Sequence, residues 1–266
     1  MCFAFCLPAE ALAQAGALVF CVSRVTLPFM TSIAYPIRIN RYLSLKGMCT
    51  RKEADVLIQK GKVRVNGNTA VLGTKISKSD VVEIVGSVRA HGLEYRYFAY
   101  NKPKGVVSSA PQGNEETAAA LSGLGKNFFP VGRLDKNSRG LLVLTNDGRI
   151  VDRLLSPKYA HEKEYVVSVD KKLRTSALHS LQKGVRIEGY RTKPAVVTKI
   201  NDRTFSIVLT EGKKHQIRRM TMAIGYQVTD LKRVRIMNIR LGSLKEGTSR
   251  ELGSKERETL LVSLAL

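Results

Sequence analysis

Four apolar residues in succession, Leu141-Leu142-Val143-Leu144, closed by Asn146-Asp147-Gly148, constrain the fold of this chain more than any other stretch. A short apolar run that ends in a turn signal reads as a buried strand. The segment before it, Phe129-Pro130-Val131-Gly132-Arg133-Leu134-Asp135-Lys136-Asn137-Ser138-Arg139-Gly140, is then a loop at a strand edge. That loop holds one acid among cations, because Arg133, Lys136 and Arg139 surround Asp135. Gly132 and Gly140 let the backbone turn where a Cβ would obstruct it. Taken alone, Asp135 reads first as a turn former bonded to its own backbone.

Charge narrows what such a loop can serve. Forty-four Lys and Arg against 22 Asp and Glu leave a net charge of +22, a field that concentrates polyanions. An anionic membrane surface is the rival partner, but no long basic amphipathic helix is present to lie in it. Only Cys49 falls outside the first 21 residues, and Cys2, Cys6 and Cys21 have no nearby His. The four His residues, at 91, 161, 179 and 215, are scattered without ligand spacing, and no phosphate-cradling glycine loop occurs. The expectation is therefore no metal, no cofactor, no disulfide framework and a reducing cytoplasm. A monomer is expected as well.

The 266 residues suffice for two domains. Residues 1–35 carry Arg24 as their only base and Glu10 as their only acid. Ala11-Leu12-Ala13 imitates a signal cleavage site, yet there is no basic leader, and Pro8 and Glu10 cut the apolar run short. This segment reads as an extension outside the fold, with Met30 as a candidate start. Residues 36–85 form a small module. Ile39, Tyr42, Leu43 and Lys46 fall on helical spacing up to Gly47; Thr50 and Glu53 form a capping box for a second helix; Asn66-Gly67 signals a hairpin. Residues 36–66 hold eight bases against Glu53 and Asp55. They gather at two helix starts and one hairpin, which selects Arg38, Arg41, Arg51, Lys52, Lys62 and Arg64 as phosphate contacts. Residues 86–92 read as a linker and 93–245 as a second domain of strands mixed with helices, so the class is α+β. In that domain Pro103 breaks a strand over Tyr95–Tyr100 and leaves Lys102 and Lys104 on a loop. A helix over Arg149–Leu155 turns Ile150, Val151, Leu154 and Leu155 inward. Residues 246–266 are polar and read as a peripheral tail.

Several of these stretches resemble one family. Gly132-Arg133-Leu134-Asp135 with Gly140-Leu141-Leu142 is similar to the catalytic-aspartate motif of the pseudouridine synthases that act on bacterial ribosomal RNA. His161-Glu162-Lys163-Glu164-Tyr165 and Gly212-Lys213-Lys214-His215-Gln216-Ile217-Arg218-Arg219-Met220 resemble its tyrosine and arginine motifs, in the family's order, and Asn101-Lys102-Pro103-Lys104-Gly105 matches a fourth. The resemblance covers residues 36–245. The first module, including Arg51-Lys52-Glu53-Ala54, resembles the S4 RNA-binding domain. The wording of His161–Tyr165 and of Arg235-Ile236-Met237-Asn238 is most similar to the F type, which acts on large-subunit (23S) ribosomal RNA.

The resemblance implies a mixed, mostly antiparallel sheet bisected by an active-site cleft. It implies isomerisation of uridine: the bond from N1 to C1′ breaks, the base turns, and C5 joins C1′. That reaction needs no redox or energy input. Asp135 is then the nucleophile, Tyr165 closes over the uracil, and Arg218 is the cation that keeps the carboxylate ionised in a closed pocket. Lys163, Lys213, Lys214 and Arg219 are phosphate contacts, and Arg133 fills the place of a flipped base. Small-subunit RNA or a transfer RNA anticodon loop remains an alternative substrate. A noncatalytic RNA-binding protein is the alternative class, but such a protein gains nothing from a carboxylate set in a polyanion-binding cleft. Removing residues 36–85 is expected to weaken RNA binding and flatten its salt dependence. The slope of log affinity against log salt should fall by about 0.9 or less for each phosphate that the module neutralises. Filter binding across a salt series measures the slope, and an unchanged slope would mean that the module does not touch RNA.

Overall fold

The computed structural model describes residues 33–85, 94–109, 111–113 and 115–266. The expected linker at 86–92 and most of the expected extension lie outside the described residues. The chain divides into two compact units, Met1–Glu94 and Tyr95–Leu266.

In the first unit, helices Ile39–Leu45 and Arg51–Gln59 cover a three-stranded antiparallel sheet ordered Asn68–Thr69, Val63–Val65, Val82–Ile84. The capping box forms as the sequence demands: Thr50 Oγ1 accepts the Glu53 N–H at 3.3 Å, and the Glu53 carboxylate accepts the Thr50 N–H at 2.7 Å. Asn66 and Gly67 take φ of 51° and 80°, the paired left-handed conformation that a tight two-residue hairpin needs. Ile39, Leu43, Ala54, Ile58, Val63 and Ile76 make the core. Ile33 and Tyr35 pack against it, so the fold starts a few residues earlier than 36. Arg38, Arg41, Arg51, Lys52, Lys62 and Arg64 are all exposed.

The second unit is built on a nine-stranded sheet. Its main path runs Val196–Asn201, Thr204–Leu209, Lys163–Val169, Val228–Ile236, Arg139–Thr145, Tyr97–Lys102, Ser249–Glu251, with Ile239–Arg240 and Phe129–Val131 paired at its sides. All these pairings are antiparallel except one. Val228–Ile236 meets Arg139–Thr145 in parallel through only two residue pairs, Lys232 with Arg139 and Arg233 with Gly140. The sheet is therefore two antiparallel halves joined at a short seam. Gly140 makes the seam feasible: its φ is 104°, and a Cβ there would lie 2.3 Å from the Arg233 carbonyl oxygen and 2.8 Å from its nitrogen.

The apolar run behaves as a strand with both faces covered. Leu141 and Val143 enter one cluster with Tyr97, Ala99, Ile150 and Leu154, while Leu142 and Leu144 enter another with Phe98, Tyr100 and Ala118. The turn that follows is anchored by buried Asp147, which accepts the Tyr97 hydroxyl at 2.5 Å and both the backbone N–H and Nε of Arg149 at 2.9 Å. Helix Arg149–Leu155 starts there. Ile150 and Leu154 are buried as expected, but Leu155 is exposed. Helices Thr175–Lys183 and Gln216–Ala223 pack a third cluster against Val167, Phe205 and Ile207 in the other half of the sheet. Among the described residues, no helix is long and apolar enough to cross a membrane.

The C-terminal segment corrects the expectation of a peripheral tail. Ser249–Glu251 pairs with Tyr97–Lys102, and helix Ser254–Ser263 sends Leu260 into the cluster of Leu141, with Leu252 and Leu264 beside it. Arg153 donates to the carbonyls of Leu264 and Ala265 and fastens the segment's far end. The reason is simple burial: these leucines complete one face of the sheet. Leu260→Ala should cost about 2–5 kcal/mol, read from the urea midpoint, whereas a truly peripheral residue would cost close to nothing.

Candidate active site

The seam opens onto a cleft of about 770 Å³, ample for a nucleotide. Its walls are the loop Pro130–Ser138, the strand residues Lys163, Tyr165 and Arg233, the segment Leu209–Ile217, and the helix end at Leu154–Pro157. Asp135 enters from the first of these and is half-exposed. Its carboxylate Oδ2 lies 3.2 Å from Nδ1 of His215. His215 is aimed there because it takes a left-handed conformation, φ 51°, at the cap of helix Gln216–Ala223.

The Asp135 loop is held from several directions. The Asp135 carbonyl accepts the Ser138 N–H at 2.9 Å, and the Lys136 carbonyl accepts the Gly105 N–H at 2.8 Å. The Ser108 hydroxyl donates to the Leu134 carbonyl at 2.8 Å and accepts its N–H at 2.9 Å. Arg139 pairs with Asp230 at 2.7 Å. Beneath the loop, buried Arg233 donates from Nε to the Leu141 carbonyl at 2.8 Å and from Nη1 to the Arg133 carbonyl at 3.4 Å, so it ties down both sides of the segment that carries Asp135.

Tyr165 alternates with Val167 and Val169 on its strand, as the sequence indicates; its ring packs on their cluster and lines the cleft. Lys163 lies two residues earlier, where burial and the nearby Arg233 lower its pKa from the ordinary lysine value. The wall opposite is organised around Glu211. This buried carboxylate accepts the Tyr190 hydroxyl, the Lys193 N–H at 3.1 Å and the Gln216 side-chain amide at 2.6 Å. Gln216 in turn accepts the Lys213 N–H at 2.9 Å, and the Lys213 ammonium lies 4.8 Å from the Tyr190 ring centroid. A glutamate with three donors thus shapes the basic loop Gly212–His215.

The structure brings Asp135, Tyr165, Arg133, Lys163, Lys213 and Lys214 to one cleft. Lys104 is exposed on the neighbouring turn. Three expectations are corrected. Arg218 does not pair with Asp135; its Nη2 donates to the Asn137 carbonyl at 3.0 Å and to the Ser138 hydroxyl at 3.3 Å, because helix Gln216–Ala223 aims it at the base of the loop rather than its tip. Arg219 is bonded to Glu188 at 2.6 Å and to the Lys214 carbonyl, so its charge is already engaged. Lys102 touches no solvent. The strand runs on through it, opposite Gly140, and its ammonium turns under the loop to the carbonyls of Pro103 at 2.8 Å and Val106 at 2.7 Å. The roles of His215 and Arg233 escape a reading of the sequence. A polar residue just before a helix start is the only signal for the first, and an Arg two positions after Leu231 on an alternating strand the only signal for the second. Among the described residues, no three His, Cys, Asp or Glu side chains converge on a metal site.

A cleft at the seam of a mixed sheet, lined by an accessible carboxylate, a tyrosine and a basic rim, fits the class of enzymes that act on RNA. Profile comparison makes the class definite: the RNA pseudouridylate synthase family matches residues 96–223 and the S4 domain matches residues 37–82. The chain is 39% identical to the dual-specificity RNA pseudouridine synthase RluF of Escherichia coli, over 83% of this chain and 77% of that one. It is 36% identical to ribosomal large subunit pseudouridine synthase B of Bacillus subtilis, over 84% of this chain and 95% of that one. A crystal structure of a pseudouridylate synthase superposes with a TM-score of 0.63 at 30% identity, covering 84% of this chain and 99% of that one. The chain belongs to the RNA pseudouridine synthase family and is an enzyme of that kind.

Lys102 supplies a pH test of this architecture. Burial, opposed by the nearby Asp135, pushes its amine down from 10.5 to about 8. Between those values the unfolded chain binds more protons than the folded one, so Lys102 makes stability rise as pH rises through that window. In Lys102→Met the gain between pH 8 and 10.5 should be smaller than in the parent protein. Urea midpoints at both pH values measure it, and equal gains would place Lys102 in solvent.

Proposed function

We propose that this enzyme converts a uridine of large-subunit (23S) ribosomal RNA to pseudouridine, with Asp135 as the nucleophile. One observation carries the assignment of Asp135. Among the described residues only two acids line the cleft, and Glu211 is buried under three donors, so Asp135 alone presents a carboxylate to a substrate. The uridine flips out of its stem at a cost of a few kcal/mol. Asp135 attacks, the N1–C1′ bond breaks, the base turns, C5 bonds to C1′, the bond to Asp135 is released, and the proton lost from C5 is matched by one gained at N1, so the isomerisation balances without any co-reactant. Tyr165 packs over the uracil from the facing strand. Arg218 acts as a positioning residue, by holding Asn137 and Ser138 just after the nucleophile. Lys163, Lys213 and Lys214 hold the phosphates around the target, Arg133 takes the place that the flipped base vacates, and the exposed bases of the S4 domain hold further RNA.

The ribosomal target is supported by the names of the relatives, which include a large-subunit ribosomal enzyme. The words "dual-specificity RNA" on other relatives favour a second RNA substrate, with small-subunit RNA and a transfer RNA anticodon loop as the alternatives. The enzyme works as a monomer in the cytoplasm.

Asp135→Asn should lower isomerisation by about 10⁴-fold or more, since an amide keeps the shape but is no nucleophile. RNA affinity should hold or rise, because one negative charge facing phosphate is gone. Single-turnover assays on ribosomal RNA from cells lacking the protein, with pseudouridine mapping, measure both. Substantial turnover by the variant would end the mechanism; unchanged ribosomal RNA in the deletion strain would end the target.

A further inference from the structure

Past helix Arg149–Leu155 the chain makes a single 3-10 turn, Pro157–Tyr159, and reverses at Ala160 with φ 51°. The turn leaves Tyr159 45% exposed, and the ring belongs to none of the hydrophobic clusters of its unit. It is not bare, however. The His161 ring stacks against it at 5.7 Å between centroids and 18° between planes, and the Lys158 ammonium lies 4.5 Å from the Tyr159 centroid. Burial, then Lys163, lowers the His161 pKa from its ordinary 6.5, which keeps that ring neutral and its backing apolar at neutral pH. Asp152, Leu155, Ser156, Lys158 and Tyr159 line a depression of about 360 Å³. Leu155 and Ser156 also line the catalytic cleft, so the two spaces are neighbours with a shared wall. Leu155, the helix residue that does not turn inward, lies on the ridge between them.

We propose that Tyr159 is a stacking platform for one unpaired RNA base beside the flipped uridine, with Lys158 holding the phosphate next to that base. The proposal rests on the reading of the cleft as a uridine site. Flipping one nucleotide strips its neighbour of a stacking partner, and the Tyr159 ring restores that contact whatever the base once the Lys158 ammonium over the ring swings aside to the phosphate. His161 stiffens the ring from behind, so little freedom is lost when the base arrives. Lys158 gives the backbone a counter-charge on one side.

The test uses the full chain and a short single-stranded RNA carrying 2-aminopurine, whose fluorescence is quenched by stacking. Tyr159→Ala should lose most of the quenching and weaken binding by roughly 5- to 150-fold, the usual cost of removing one stacked aromatic. Tyr159→Leu should behave like the Ala variant, because it keeps apolar bulk without a π face. Tyr159→Phe should keep both quenching and affinity within about twofold. Quenching that survives in the Ala and Leu variants would overturn the proposal, as would a Phe variant that fails with them, since the hydroxyl and not the ring would then be acting. No reaction occurs in this assay, so its result is independent of the pseudouridine measurements on Asp135→Asn. Absent turnover with Tyr159-dependent quenching would remove the assigned reaction and leave an RNA-stacking site.

Discussion

Two parallel residue pairs join the two antiparallel halves of the catalytic sheet. Antiparallel neighbours can be joined by tight turns, but a parallel contact needs a long crossover and gives less stability for each residue. Here the contact is as short as a ladder can be, Lys232 with Arg139 and Arg233 with Gly140, and the cleft begins where it stops. A glycine with no Cβ lets the two backbones approach, and Arg233 commits its guanidinium to the carbonyls of Leu141 and Arg133. The loop of Asp135 spans the interval between those two carbonyls. The seam thus fixes both ends of that interval, and the bonds from Gly105, Ser108 and Arg218 hold the loop between them.

Fixing one carboxylate among so many cations is the second constraint. The fold resolves it by giving most of the neighbouring cations other partners: Arg139 goes to Asp230, Lys136 to Glu115, Arg219 to Glu188, and Lys102 and Arg233 to carbonyls. What faces Asp135 directly is an imidazole, a group that can be a hydrogen-bond donor without a full charge. Arg133, Lys213 and Lys214 are left at the rim, where a polyanion meets them first. Charge is thus sorted by depth.

Much of this was legible in the sequence because local chemistry decided it. The capping box at Thr50 and Glu53, the Asn66-Gly67 hairpin and the apolar strand at 141–144 each depend on neighbours within a few residues, and each forms as written. The expectations that failed depend on distant partners. Pro103 does end a strand, but nothing local reveals that Lys102 is still paired with Gly140 and covered. Arg218 has its motif neighbours, yet its aim is set by where helix Gln216–Ala223 docks. The helix Ser254–Ser263 mixes charged and apolar residues without a clear stripe, so its sequence hides that Leu260 is fully buried.

The strand Ser249–Glu251 has one further consequence, for the order in which the protein acquires its parts during synthesis. Arg96 and Glu251 form an ion pair across that edge although they are 155 residues apart in the chain. Among the described residues, every strand pairing of the first unit, by contrast, closes between Ile37 and Ile84. Contacts of low separation form early, and domains fold as units while the chain is still being made. Sequence separation therefore favours an S4 domain that closes on the growing polypeptide before translation delivers the edge strand that finishes the catalytic sheet.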